Sequence, residues 1–229
     1  MVGGSGWRPR TARESFLDLL PPEDRASLEA RARTREFNKD DLLFEQGSAP
    51  GRLVIIQAGL VKVSSRSAGG VESVLAIRGA GDILGEMSSV DDRPRSATVT
   101  ALNPVKALVL DPPVFDELLL HPSTARALLT VLVRRLREAD RQRLQYGSGA
   151  SVTQRVAALL TGLIEYGKWR DGQVLLEMEL SQQDLASAVG ASRGRVNRSL
   201  AELSDQGILT TQRQRIVILR PRELRRMGD

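Results

Sequence analysis

The chain has 229 residues, a net charge of +5, 41% hydrophobic and 27% charged residues, no cysteine, and one histidine, His121. That excludes disulfides, cysteine-held zinc or iron–sulfur centres, a cysteine nucleophile and a histidine-rich metal site. No apolar run approaches the roughly 20 residues needed to cross a bilayer, and the basic balance suits a nucleic-acid partner.

The length points to two domains, and the expected location is the cytoplasm. The opening "MVGGSGWRPRTAR" reads as a disordered arm and not as a secretory signal. Helical spacing follows in "ESFLDLLPPEDRASLEARA", broken at Pro21-Pro22. Short apolar runs then alternate with glycine turns: "DLLFEQGSAPG", "RLVIIQAG", "LVKVSSRSAGG", "VESVLAIRGAGD", "SATVTAL" and "VKALVLD". This pattern predicts a β-sandwich or barrel. A short helix, "PPVFDELLLHPS", leads to a long one, for which Ser123 is the expected cap. In the long helix Leu129, Leu132, Leu136 and Ala139, continued by Arg143 and Tyr146, alternate spacings of three and four. Such a seam would pair with a second copy of the chain. The competing reading is a stripe packed on the chain's own barrel.

"GSGAS" at 147–151 reads as a hinge. Beyond it come a helix capped by Ser151, the strand "QVLLEMEL", and a helix capped by Ser181 with Asp184 three residues on. Gly190 and Ala191 make a turn, and Ser192 caps a second helix with Val196, Leu200 and Leu203 inward. Helix, glycine turn and second helix form the helix-turn-helix spacing, and "ILTTQRQRIVILR" reads as a hairpin wing. The expected division is therefore arm 1–13, effector domain 14–122, dimerisation helix 123–146, hinge 147–151 and winged helix-turn-helix 152–229.

Two stretches carry chemistry. On the second helix of the pair, Arg193, Arg195, Asn197 and Arg198 face outward. Arginine forks suit guanine and phosphate, and asparagine suits adenine. Ser192 adds a hydroxyl at the helix start, and Arg213 and Arg215 extend the basic surface onto the wing. In "GEMSSVDDRPRSATV", Arg95 is the candidate cation for a buried phosphate. Gly85, Glu86 and Met87 offer backbone N–H groups, Ser96 a hydroxyl and Glu86 an acceptor for a ribose 2′-OH. The alternative is an internal Glu86–Arg95 ion pair.

With these motifs in view, the chain resembles the Crp/Fnr regulators over about residues 14 to 220. "LLFEQG", "GLVKV", "GAGDILGEMSSVDDRPRSATV" and "LSQQDLASAVGASRGRVNRSLAEL" carry the resemblance. It implies an α+β architecture: an N-terminal jelly-roll cyclic-nucleotide-binding domain, a long dimerisation helix and a C-terminal winged helix-turn-helix on palindromic double-stranded DNA. A homodimer with RNA polymerase as a further partner is expected, with no membrane and no cofactor, and the candidate allosteric ligands are cAMP, cGMP and cyclic di-GMP. Gly85, Glu86, Arg95 and Ser96 match the family's phosphate-binding cassette, and Arg193 and Arg198 its DNA-contacting positions. A gapless alignment puts Asp140 and Arg141 where cAMP-responsive members close the pocket over the base with a Thr/Ser-type pair. Gly194 stands where many members carry a base-reading glutamate. Two other classes stay in view: a ligand-independent regulator, or a nucleoid-type protein with little sequence preference. A jelly-roll metalloenzyme would need several histidines, and His121 lies outside the barrel strands.

Overall fold

Alternating apolar residues build two antiparallel sheets in the N-terminal half. The computed structural model describes residues 14–147, 149–176, 180–212 and 215–228, the side chain of Tyr146 excepted. The proposed arm at 1–13 therefore lies outside the described residues. In chain order a 3-10 turn (Leu17–Leu19) precedes α1 (Pro22–Arg31), β1 (Arg33–Phe37), β2 (Leu42–Phe44), β3 (Leu53–Ala58), β4 (Val61–Arg66) and β5 (Glu72–Arg78). Next come β6 (Ile83–Leu84), α2 (Glu86–Asp91), β7 (Thr98–Ala101), β8 (Val105–Leu110), α3 (Pro112–Leu119) and α4 (Pro122–Gly147). The strand orders are β1-β8-β3-β6 and β2-β7-β4-β5, so the expected jelly-roll sandwich is present.

Inward residues of both sheets, including Phe37, Val54, Ile56, Val61, Val99 and Ala107, form one core cluster. A second joins Leu53, Ile55 and Ile83 to Phe16 and to helix residues Leu28, Phe115, Leu128 and Val131. Two strands of the sandwich escaped sequence reading. β1 exposes Arg33 through Glu36 and buries only Phe37, so it shows no alternation, and β6 is two residues long.

Proline opens α1 and α3, where its missing N–H costs nothing. The long helix also starts on proline, Pro122, one residue before the expected cap. The Ser123 hydroxyl instead donates to Asp24 of α1, as does that of Thr124 at 3.4 Å. A carboxylate from another helix thus sits at the start of α4, where the macrodipole favours it.

The apolar residues of α4 divide between two faces. Ala127, Leu128 and Val131 are buried in the core, and Leu132 packs half-buried against it. Leu129, Val133 and Leu136 are 62%, 46% and 60% exposed. The expected seam of Leu129, Leu132, Leu136 and Ala139 is thus corrected: Leu132 and Ala139 turn toward their own domain, and Val133 joins the outward stripe. Three–four spacing does not separate two adjacent faces of a helix that turns 3.6 residues at a time.

The chain divides into two units, Glu14–Arg143 and a second that begins at Leu144. The second holds α5 (Val152–Leu163), β9 (Lys168–Arg170), β10 (Gln173–Leu176), α6 (Gln182–Ala188), α7 (Arg193–Asp205), β11 (Leu209–Gln212), β12 (Arg215–Ile218) and α8 (Pro221–Gly228). Its sheet order is β11-β12-β10-β9. Ser151 caps α5 through a reciprocal bond with Gln154. Glu177–Glu179, the end of the expected strand, lie outside the described residues. Among the described residues no helix is long and apolar enough to cross a membrane.

Candidate functional site

The turn from β6 into α2 is built around one glycine. Gly85 has φ +86, a left-handed conformation. A Cβ there would lie 2.7 Å from Arg95 Nη1, 3.1 Å from Phe44 Cζ and 3.2 Å from the Arg52 carbonyl oxygen. Only glycine lets the backbone pass this close to the guanidinium. Gly85→Ala is expected to lose about 1–2 kcal/mol from the left-handed backbone alone, and more from displacing Arg95. Chemical denaturation checks this, and wild-type stability would contradict it.

Beside this turn lies a cavity of about 280 Å³ lined by Gly85, Glu86, Met87, Arg95 and Ser96. Phe44, Val63, Leu75, Ala76 and Val99 supply apolar wall, and α4 contributes Arg135, Glu138, Ala139 and Gln142. Ser96 is exposed, and its hydroxyl lies 4.0 Å from the Met87 sulfur.

Arg95 is 6% exposed. Its Nη1 donates to the Gly85 carbonyl at 2.8 Å and its Nη2 to the Arg52 carbonyl at 2.7 Å. The guanidinium stacks over the Phe44 ring, 4.3 Å from the centroid. Burial pulls its pKa below the usual arginine value, and the Glu86 charge partly offsets this. An arginine so placed is still protonated. Among the described residues no carboxylate lies within ion-pair distance of it.

Glu86 does not pair with Arg95. Its Oε1 accepts from Arg135 Nη1 at 2.6 Å, and Arg135 Nη2 donates to the Ile83 carbonyl at 2.7 Å. The Arg135 Nε is buried without a partner. A second pair, Arg78 Nη2 to Glu138 Oε2 at 3.1 Å, closes another side of the cavity. Sequence reading missed Arg135: it follows Leu128 and Val131 on the inward stripe, but which stripe faces inward is set by docking and not by local spacing. Asp140 and Arg141 are a correction. Both are exposed and neither lines the cavity, and Asp140 bonds Arg143 at 3.3 Å. Helical phase carries the inward face from Arg135 to Ala139 and Gln142, so the gapless alignment landed off that face.

The second site is α6, its turn and α7. Ser181 and Asp184 exchange capping bonds at 3.0 and 3.1 Å. Gly190 takes φ +59, and the Ala191 N–H bonds the Ala186 carbonyl at 3.0 Å, closing the turn. Val196, Leu200 and Leu203 are buried, leaving Arg193, Gly194, Arg195, Asn197 and Arg198 on the exposed face. Asn197 Nδ2 donates to Gln182 Oε1 at 3.1 Å. Ser192 occupies the N-cap position, but its side chain makes no cap bond, which corrects the expectation of a capping hydroxyl. Arg215 is exposed on the hairpin β11–β12, whereas Arg213 lies outside the described residues.

Comparison with known proteins matches both halves of the chain to known domain families. The family profile described as Cyclic nucleotide-binding domain matches residues 34–122, and that of the Crp-like helix-turn-helix domain matches 154–227. A CRP-like cAMP-activated global transcriptional regulator of Mycobacterium tuberculosis is 31% identical over 209 residues, 90% of this chain and 93% of that one. The cyclic AMP receptor protein of Thermus thermophilus is 32% identical over 195 residues, covering 85% and 87% of the two chains. The structure of FixK2 from Bradyrhizobium japonicum, 19% identical, shares the fold with a TM-score of 0.76 over 86% of this chain and 98% of that one. The chain belongs to the Crp/Fnr family: it is a DNA-binding transcription regulator, not an enzyme, and it carries a cyclic-nucleotide-binding domain.

Proposed function

We propose that the protein is a homodimeric, operator-specific regulator whose DNA binding is controlled by a cyclic mononucleotide in the jelly-roll cavity. The observation that carries this reading is Arg95, a buried guanidinium with no carboxylate within ion-pair distance among the described residues. Burying such a charge is costly unless an anion compensates it. Arg78 is engaged by Glu138, and Arg135 by Glu86 and, at 3.8 Å, by Asp82, so Arg95 is the cavity cation that no carboxylate pairs among the described residues. A cyclic mononucleotide brings one negative charge and a cyclic dinucleotide two, so a single unpaired cation favours the former. The volume agrees, because 280 Å³ is at the small end for ligand sites.

In this reading Arg95 holds the phosphate, with Ser96 and the first N–H groups of α2 beside it. The second oxygen of Glu86 accepts the ribose 2′-OH while the first stays on Arg135. The Mycobacterium tuberculosis relative is named as cAMP-activated, which makes cAMP the first ligand to test. Calorimetry against cAMP, cGMP and cyclic di-GMP decides. Micromolar or tighter binding of a mononucleotide is expected, and preferential binding of the dinucleotide, or none, would reject the reading.

Signal transfer runs along α4. The helix presents Arg135, Ala139 and Gln142 to the cavity and Leu129, Val133 and Leu136 to the outside. A ligand that binds one arrangement of this helix more tightly shifts the population toward it. The outward stripe is the dimer seam, and the glycines at 147 and 149 are the hinge that lets the DNA-binding units reach two half-sites ~34 Å apart. RNA polymerase is the remaining partner in this scheme. Arg193→Ala is expected to weaken operator binding by about 1–3 kcal/mol while non-specific binding falls less. A gel shift showing equal loss on all sequences would favour a nucleoid-type role instead.

A further inference from the structure

We propose that Gln142 reads the base of the bound nucleotide; this rests on the cavity being a cyclic-nucleotide site. Arg135 marks one end of the cavity through its bond to Glu86, next to Gly85 and Arg95. Gln142 is seven residues further along α4 on the same inward face. That is two turns, roughly 10 Å along the helix axis, which is about the reach from a nucleotide's phosphate and ribose to the far edge of its base. The residues between them on this face are Glu138 and Ala139. Glu138 is engaged by Arg78 at 3.1 Å, and Ala139 has no polar atom to offer.

Gln142 is half-buried, and its amide makes no hydrogen bond among the described residues. It thus presents an adjacent donor and acceptor to the cavity with both unspent. An adenine edge carries the matching pair, an amino donor beside a ring nitrogen acceptor, and a glutamine amide binds such an edge through two bonds. The apolar wall of Val63, Leu75 and Ala76 gives the base faces a surface to lie against without distinguishing one base from another. Discrimination falls to Gln142.

The test is calorimetry of the full-length protein with cAMP, cGMP and the cyclic phosphate of unsubstituted purine riboside, which keeps the ring and lacks the amino group. The wild-type protein is expected to prefer cAMP over the purine analogue by roughly tenfold. In Gln142→Leu that ratio should fall to near one, because cAMP loses two hydrogen bonds and the purine analogue only the one to its ring nitrogen. In Gln142→Glu, an acceptor-only side chain, cGMP should gain on cAMP, because guanine offers two adjacent donors. A preference that survives Gln142→Leu overturns the assignment, as does an equal loss for all three nucleotides in both variants. If the wild-type protein binds none of the three, the nucleotide reading of the cavity falls and this inference falls with it. If it binds them but does not discriminate, only Gln142 is rejected.

Discussion

Arg95→Ala is expected to abolish nucleotide binding while leaving a folded protein. The guanidinium is 6% exposed, and among the described residues no carboxylate lies within ion-pair distance of it, so in the proposed complex the phosphate would be its counter-ion. Truncating one member of a buried, hydrogen-bonded charge pair costs about 2–5 kcal/mol, or roughly 30- to 4,000-fold in affinity. The fold should tolerate the change because two effects oppose each other. The Gly85 and Arg52 carbonyls lose their donor, which destabilises, and an uncompensated buried charge disappears, which stabilises. The melting temperature should therefore shift by less than about 5 °C in the absence of ligand. Saturating nucleotide should raise the wild-type melting temperature and leave the variant unmoved. Unchanged affinity by calorimetry would reject the phosphate role and leave Arg95 as a structural bridge between two loops.

The sequence announced Arg95 because polar and charged residues stood out in an apolar, strand-rich stretch. Gly85 was visible for the same reason, and the structure adds why no side chain fits there. The sandwich and the helix-turn-helix were legible because each has a strong local period: alternation between glycine turns for one, and Val196, Leu200 and Leu203 around a glycine turn for the other. Arg135 and Gln142 were not legible as cavity residues. They lie about forty to fifty residues past Arg95, and which face of α4 looks inward depends on how the helix docks on β3 and β6, a long-range property. The same ambiguity of phase placed Leu132 and Ala139 in the seam and Asp140 and Arg141 in the pocket. β9 gave no signal, since its three residues, Lys168, Trp169 and Arg170, are all exposed, whereas its partner β10 was legible in "QVLLEMEL".

Leu136→Glu is expected to convert the protein to a folded monomer that has lost operator binding. Leu136 is 60% exposed in the protomer, and Leu129 and Val133 share its face. An apolar stripe of this kind on a helix whose opposite side is already buried has no use within the protomer. A carboxylate in its middle would have to be desolvated on pairing, whereas in the monomer it stays in water. Protomer stability should therefore hold while the dimer dissociates, and light scattering should report half the mass. DNA affinity should fall further than any single contact explains, because joining two DNA-binding units raises avidity by about 10²–10⁴. Val133→Glu should act in the same way. Leu132→Glu should not: Leu132 packs against Leu128, Val131 and the sandwich core, so a charge there unfolds the protomer instead of parting two folded copies. A dimer mass retained in both Leu136→Glu and Val133→Glu would place the self-association surface elsewhere than α4.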